Sequence, residues 1–477
     1  MKTRKQLEKS EGVELGRLAR RTARRSFLRG AAACLAGLPL ASGLPRETVY
    51  AGSKRSGGGL SAKTPGEVVG SRLVLANCHL IDGVSDEPRP DTGVIIEDGR
   101  IADLVTSRGV SVEKRARLID CRGAWLLPGL WDAHVHLQFP DITPPKDLTA
   151  RTIKYGANAI EGLREAGITG IRTAGVDNWI DVAWKRAFAS KQYLGPRIFA
   201  GGYFITTTAG HGHGYIHTRE CDGTEDFSRA VREQIQNGVD HIKLGLSGGI
   251  MGPPWDGNRQ NALLPEEMDA VFRLCNQRDY KVMCHATNPL AVKEAIKRGA
   301  WSIEHGYILD DECIRLMLEK RTIFVPTLCV SHLSPSQVSN EWEKRFMEMW
   351  TRQIPPEFFA RADAASKEHK KWFQAALKAG VRMAVGSDMG PLKDGALLEM
   401  GLWVSDGATP MQAIKAATSG AAEVCGTADE LGTIEKGKIA DLIVVRNNPL
   451  EDINNLRKLQ MVFKDGDLVV EKPADRS

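Results

Sequence analysis

Two histidines one residue apart close the apolar run Leu126-Leu127-Pro128-Gly129-Leu130-Trp131-Asp132-Ala133-His134-Val135-His136. On a β-strand, side chains at i and i+2 share a face. His134 and His136 can therefore both reach one cation, the arrangement that imidazole ligation of zinc requires. An H-x-H pair alone is weak evidence, because two satisfied polar side chains read the same way. Four later residues change the weighting: Lys243, His285, His305 and Asp388 each sit at or near the end of a further short apolar run. Six candidate ligands at successive strand ends describe a metal centre at the mouth of a barrel.

Each of the later residues has a plainer reading beside the chemical one. Lys243 lies in Val239-Asp240-His241-Ile242-Lys243-Leu244-Gly245, a strand expected to point into the barrel. Burying an ammonium is costly unless it is paired or neutralised. A buried salt bridge is one solution. The other is a lowered pKa followed by reaction with carbon dioxide, giving a carbamate able to bridge two cations; the residues alone leave both open. His241 shares the Lys243 face but lies deeper, so it belongs to the barrel core. His285, in Met283-Cys284-His285-Ala286-Thr287, and His305, in Ser302-Ile303-Glu304-His305-Gly306, stand at the same level of consecutive strands and together form a second metal site. Asp388, flanked by Gly and Ser, reads as a turn or helix N-cap carboxylate, or as a ligand that also accepts a proton from metal-bound water.

The elements that must position these side chains follow from hydrophobic periodicity. Short apolar strands alternate with longer helical patterns, the signature of βα units around a parallel sheet. The strand candidates are Leu126–Leu137, Gly170–Ala174, Arg197–Gly201, His241–Leu246, Lys281–Ala286, Ser302–Gly306, Ile323–Leu328 and Arg382–Asp388. Helical stretches cover Thr149–Ala166, Ser228–Asn237, Pro265–Arg278, Leu290–Arg298 and Asp310–Lys320, and Glu341–Ala379 is a helix-rich insertion. Eight strands argue for a (β/α)8 barrel with its site at the C-terminal strand ends. A doubly wound sheet is the alternative, but no G-x-G-x-x-G follows an early strand. Both ends of the chain are β-rich. Arg72–Leu80, a hairpin turning at Asp98-Gly99, Arg117–Asp120 and Trp125–Leu127 open it. Gly432–Ile434, Ala440–Val445 and Met461–Val470, turning at Asp465-Gly466, close it. The predicted organisation is a leader over 1–66, a small β domain from 67–127 with 427–477, and a barrel over 128–426.

At 477 residues, with 42% hydrophobic, 26% charged and 6% aromatic residues, the composition is that of a globular enzyme. Net charge is +5, yet residues 1–29 alone hold ten Lys/Arg against three Glu. That surplus exceeds the whole, so the remainder is slightly acidic and gives no support to a nucleic-acid partner. The leader segment Ala23-Arg24-Arg25-Ser26-Phe27-Leu28-Arg29 resembles a twin-arginine export signal, followed by an apolar stretch, Gly30 to Leu44, too short to span a bilayer comfortably. This predicts transient contact with the twin-arginine export machinery and a periplasmic or secreted protein, with cleavage near Ala41-Ser42-Gly43 or Val49-Tyr50-Ala51. A disordered basic tail or a signal-anchor is the other reading, and a cytoplasmic protein would follow if the leader is no signal. Nine cysteines without C-x-x-C spacing argue against a disulfide framework or a zinc knot; one bridge remains open in an oxidising compartment, and the sequence does not say which.

The ladder of H-x-H, Lys, His, His and Asp resembles the amidohydrolase superfamily, over about the whole chain after the leader. The resemblance implies an α/β architecture: a (β/α)8 TIM-like barrel with a small composite β-sandwich domain built from both termini. It implies two divalent metal ions, zinc being the expected one. His134 and His136 would hold the more buried ion with Asp388, His285 and His305 the more exposed ion, and Lys243, carboxylated by carbon dioxide, would bridge them. A lysine at strand four is similar to the binuclear branch; imidazolonepropionase-type members lack that bridge. Gly210-His211-Gly212-His213-Gly214 with Tyr215, and His241-Ile242-Lys243, look like the prolidase-like peptidase branch, which hydrolyses Xaa-Pro or Xaa-Lys/Arg dipeptides and N-acyl amino acids and includes ochratoxin amidases. His211, His213 and Tyr215 are then expected to bind a substrate carboxylate or a developing oxyanion. The implied reaction is attack of a metal-bridging hydroxide on an amide, with Asp388 taking the proton and passing it to the leaving nitrogen. A lactonase or cyclic-amide hydrolase on the same centre is the second reading. A non-catalytic periplasmic binding protein is the third, disfavoured because a binder needs neither Lys243 nor Asp388. The resemblance further implies a small-molecule or dipeptide substrate and a homo-oligomer, and the Ser331–Lys371 insertion is expected to shape the substrate pocket or a subunit contact.

Overall fold

The computed structural model describes residues 72–107, 116–141 and 143–473; the expected export leader lies outside them. Strands from both ends of the chain share one eight-stranded sheet. Arg72–Leu80, Arg89–Glu97, Arg100–Thr106, Arg117–Asp120 and Trp125–Pro128 come from the N-terminal side; Leu442–Val445, Leu459–Lys464 and Asp467–Glu471 come from the C-terminal side. The seam is the antiparallel pairing of Trp125–Pro128 with Leu442–Val445, in which Ile443 stands opposite Leu127. Leu75, Ile96, Leu126, Val444 and Phe463 bury one face as a separate apolar cluster, each such side chain contributing roughly 1.5–3 kcal/mol. Asp98 and Gly99 turn the first hairpin with φ of 50° and 80°, the pattern of a type I′ turn. Gly432–Ile434 is not the strand that its pattern predicts. Gly432, at φ 85°, bends the chain, and Ile434 N–H is taken by the Asp82 carbonyl at 2.8 Å.

The middle of the chain alternates strand and helix, an α/β fold. Leu130–Val135, Ile168–Thr173 and Arg197–Phe199 form one parallel sheet. Phe204–Thr206, Thr218–Glu220, His241–Gly245, Lys281–Ala286, Ser302–His305 and Ile323–Val325 form another. The predicted first strand, Leu126–Leu137, divides at Gly129, where the chain leaves one sheet and enters the next. A Cβ at Gly129 would lie 2.2 Å from Thr169 Oγ1, so only glycine allows that crossing. The predicted helices form with small changes at their ends, except that Ser228–Asn237 begins a full turn earlier, at Gly223. Leu148–Ala166 shows why: Asp147 caps it by accepting from Ala150 N–H, Gly167 ends it at φ 69°, and Tyr155, Ala159, Leu163 and Ala166 bury one stripe. The Glu341–Ala379 insertion is two helices, Glu341–Trp350 and Pro356–Ala379.

Arg382–Asp388 departs from its prediction as a strand. It makes one parallel bridge, Met383 with Phe324. Even so, it is bonded on both sides: Ala384 N–H donates to Phe324 O at 3.1 Å, Ala133 N–H to Val385 O at 2.9 Å, and Asp388 N–H to His134 O at 2.8 Å. A regular ladder is interrupted because the Ser387 amide is claimed by the Asp132 carboxylate and Asp388 adopts φ 54°. The helix Ile180–Ala189 and the helices Leu392–Ser405, Pro410–Ala416 and Ser419–Cys425 had no counterpart in the sequence reading. Among the described residues no helix is long and apolar enough to cross a membrane.

Candidate metal centre

His134 and His136 leave the end of Leu130–Val135 beside Asp388. The His136 Nε2 atom lies 3.1 Å from Asp388 Oδ1 and the His134 Nε2 atom 3.6 Å, and one donor atom from each of the three falls within 4.8 Å of the others. Both rings are oriented from behind. His136 Nδ1–H donates to the Gly175 carbonyl at 3.1 Å. His134 Nδ1–H donates to Glu304 Oε2 at 2.8 Å. Glu304 is in turn held by the Arg172 guanidinium at 2.9 and 3.0 Å and by the Ser302 hydroxyl at 2.5 Å, while Arg172 Nε–H donates to Ala133 O at 2.7 Å. His134, Glu304, Arg172 and Ser302 are all buried. With Nδ1 carrying the proton in its bond to Glu304 or to Gly175 O, the Nε2 atom of each ring presents a lone pair toward the Asp388 carboxylate. Burial, reinforced by the Lys243 ammonium, holds His134 neutral, and its buried Nε2 has no hydrogen-bond partner. The Asp388 carboxyl is held below the usual carboxylate range against its burial, with the Lys243 ammonium among the causes. Acceptors therefore face acceptors, which is the electrostatics of a cation site.

Lys243 enters from His241–Gly245 and is buried. Its Nζ makes no hydrogen bond and sits 5.5 Å from the Phe204 ring centre. Burial lowers its pKa to about 8, against the opposing pull of Glu304 and Asp388. His285 and His305 form a neighbouring pair with ring centres 4.5 Å apart. His285 Nε2–H donates to Gly248 O at 3.1 Å, leaving Nδ1 as its lone pair; the Thr327 hydroxyl takes the Nδ1 edge of His305 at 2.8 Å, leaving Nε2. Burial holds both rings neutral. His305, at φ 72°, and Asp388, at φ 54°, are non-glycine residues in the left-handed region, a conformation retained only where surrounding contacts over-determine it. His241 donates from Nε2 to Thr173 O at 2.9 Å, deep in the interior, as expected of a core residue.

A cavity of about 560 Å³ opens over this cluster. Phe139, Phe204, Ile250, Trp350, Phe358 and Met389 make an apolar wall, so the Glu341–Trp350 insertion and the chain after it shape the pocket. On the Gly-rich loop, His211 faces the cavity, bonds Asp256 through Nδ1 at 2.5 Å and stacks on His285 with centres 4.2 Å apart. Tyr215 lines the cavity too, donating to Met251 O at 3.1 Å. His213 does not. Its side chain is 43% exposed and pairs with Glu220 at 2.9 Å, because the turn geometry of Gly212 and Gly214, with φ of 79° and 77°, points the alternate residue outward. The loop instead contributes His217, which the sequence reading missed: it is buried, bonded to Gln138 through Nδ1 at 2.9 Å, and 5.0 Å from the His136 ring. Glu304, Arg172 and Asp132 were missed as well. Charged residues inside apolar strands were the available signal. Asp132 accepts from Ser387 N–H at 2.9 Å and Ser387 O–H at 2.5 Å, tying the His134 strand to the Asp388 turn. Burial raises its pKa to about 7 against those bonds.

Parallel strands delivering a His–His–carboxylate cluster to the floor of an apolar cavity define a class of protein, and the comparisons say which. Residues 125–469 match the amidohydrolase family, and the chain belongs to it. An ochratoxinase of Aspergillus niger is 31% identical over 419 residues, covering 80% of this chain and 83% of that one. A crystal structure of a Xaa-Pro dipeptidase with methionine bound in its active site superposes with a TM-score of 0.74 at 30% identity, covering 84% of this chain and 100% of that one. A prolidase complexed with N-methylphosphonate-L-proline gives a TM-score of 0.73 at 28% identity with the same coverages. The chain is thus a hydrolase of the amidohydrolase family.

Proposed function

We propose that this chain is a metal-dependent amidase whose substrates are dipeptides or N-acyl amino acids. The observation that carries the reading is the convergence of two imidazole lone pairs and the Asp388 carboxylate beside the unbonded Lys243 Nζ. The similarity to an ochratoxinase, a Xaa-Pro dipeptidase and a prolidase supports amide-bond hydrolysis. In the same reading the two parallel sheets and Arg382–Asp388 complete a (β/α)8 barrel over 128–426, supported by the bonds of that segment to Phe324 and Ala133. Residues 67–127 and 427–477 make the small β domain, and the Arg24-Arg25 leader directs export from the cytoplasm.

Two divalent cations, zinc by donor type, fit these residues: His134, His136 and Asp388 would hold one, and His285 and His305 the other. Lys243 would complete the set as a carbamate: the unprotonated fraction of its amine adds to carbon dioxide, the N–C bond forming as one C=O π bond becomes a carboxylate lone pair and one Nζ proton leaves to solvent. Bound there, the cations would supply Lewis acidity at a carbonyl and lower the pKa of water toward ~7. The protein supplies the rest. Asp388, ionised, takes the proton of the attacking water on a carboxylate oxygen and returns it to the leaving nitrogen. His211, Tyr215 and His217 place polar edges along the reacting carbonyl and the substrate carboxylate, and the Phe139–Trp350–Phe358 wall excludes water and seats an apolar group.

The test is metal analysis of purified protein together with a hydrolysis panel of dipeptides, N-acyl amino acids and lactones. About two ions per chain with amide turnover is the expected result. Lactones alone being cleaved would move the centre to the second reading, and a metal-free protein without turnover to the binding protein.

A further inference from the structure

Cys78 lies on Arg72–Leu80, and Cys121 follows directly on Arg117–Asp120, the strand that pairs with it in parallel. A register shift between Leu75 and Cys78, with Asn77 at φ 57°, turns Cys78 inward. Both sulfurs are buried in the same apolar cluster. A single carbonyl joins the two residues: Ala76 O accepts from Cys121 N–H at 2.8 Å and from the Cys78 thiol at 3.7 Å. The neighbouring Cys121 thiol together with burial pushes the Cys78 thiol far up. Cys221 and Cys284 likewise donate to the carbonyls two residues back, Arg219 and Val282, but among the described residues only the Ala76 carbonyl is shared in this way with the backbone N–H of a second cysteine.

We propose that Cys78 and Cys121 close an intrachain disulfide when the protein meets an oxidising thiol–disulfide couple. The oxidant is a disulfide by chemical class. One cysteine thiolate attacks it, releasing one reduced thiol and leaving a mixed disulfide; the second cysteine displaces the other half as a second thiol. Two protons and two electrons leave the pair, and the oxidant's S–S bond receives both. The bridge clamps the first strand of the composite sheet to the turn before Trp125–Pro128, the strand that crosses at Gly129 toward His134. It stands apart from the metal ligands, so hydrolysis does not depend on it. A thiolate disfavoured by burial reacts slowly, so the bridge forms over prolonged equilibration.

The full chain is equilibrated with glutathione disulfide and a trace of glutathione, then denatured, alkylated and digested. The expected product is a linked peptide pair containing Cys78 and Cys121, lost on reduction, with two fewer free thiols than the reduced protein. Tm rises by a few degrees on oxidation, and that rise vanishes in Cys78→Ala and in Cys121→Ala. Both thiols alkylated at equilibrium, a stable glutathione adduct on either, or a link to a different cysteine overturns the proposal, and this readout on the unaltered chain stands whether or not the variants fold.

Discussion

The two halves of the candidate metal centre differ at one ligand, since His136, like His285, is backed by a backbone carbonyl. Behind His134 stands a buried ionic shell, Glu304 with Arg172 and Ser302. Behind His285 and His305 stand neutral groups, the Gly248 carbonyl and the Thr327 hydroxyl. A carboxylate behind an imidazole fixes the tautomer and raises the basicity of the ligating nitrogen; a carbonyl or hydroxyl fixes orientation with less charge. The first half is also cross-linked by Asp132 and Ser387 to the Asp388 turn, whereas His285 stacks on the His211 loop that faces the cavity. The difference assigns the halves different work. On the proposed reading the His134 half would hold an ion and its proton acceptor rigidly, and the His285 half would adjust with the substrate.

The largest effect should come from the proton acceptor of the His134 half. Asp388→Asn is expected to lower kcat by ~10²–10⁴-fold while Tm stays near that of the parent chain, measured on any amide found active in the hydrolysis panel. Near-parental turnover would remove Asp388 from proton transfer and leave it a turn residue. Next comes the ionic shell. Glu304→Gln weakens the His134 ion and leaves the buried Arg172 without its counter-charge. Metal affinity or activity should fall ~10–100-fold, and stability by about 3–5 kcal/mol. Chelator competition and urea denaturation read the two separately. A Glu304→Gln protein that binds metal and unfolds like the parent would abolish the contrast between the halves.

How much of this was legible depended on whether a residue's role is local. The H-x-H pair, Lys243, His285, His305 and Asp388 could be read because ligand types stood at the ends of apolar runs, a pattern of sequence alone. So could both hairpin turns, fixed by Asp98-Gly99 and Asp465-Gly466. Glu304, Arg172 and His217 could not, because their partners lie 170, 132 and 79 residues away, and only folding reveals that each charge is met. Arg382–Asp388 misled for the same reason. Its apolar run looks like a strand, but a side-chain bond from Asp132 claims the ladder amide. His213 was misplaced because alternation along a strand does not carry over to a loop whose glycines turn it. The division of Leu126–Leu137 hung on one contact, Thr169 against Gly129, invisible in the run itself.

The smallest effect sharpens the comparison most. Thr327→Val keeps the β-branched shape of a residue at φ 52°, so backbone strain is unchanged and only the hydroxyl is lost. His305 then has its Nδ1 edge buried without a partner. The cost should be ~1–3 kcal/mol for one unsatisfied neutral group, below that of Glu304→Gln because no charge is stranded. His305 can still turn its Nε2 toward an ion, so the fall in activity should stay within about tenfold, below the range set for the ionic shell. Read by thermal denaturation and by kcat and KM on one amide substrate, the ordering of Glu304→Gln over Thr327→Val is the decisive quantity. If Thr327→Val were the more damaging, the neutral half would be the anchor, and rigidity in this site would come from orientation, with the buried carboxylate serving Arg172 more than His134.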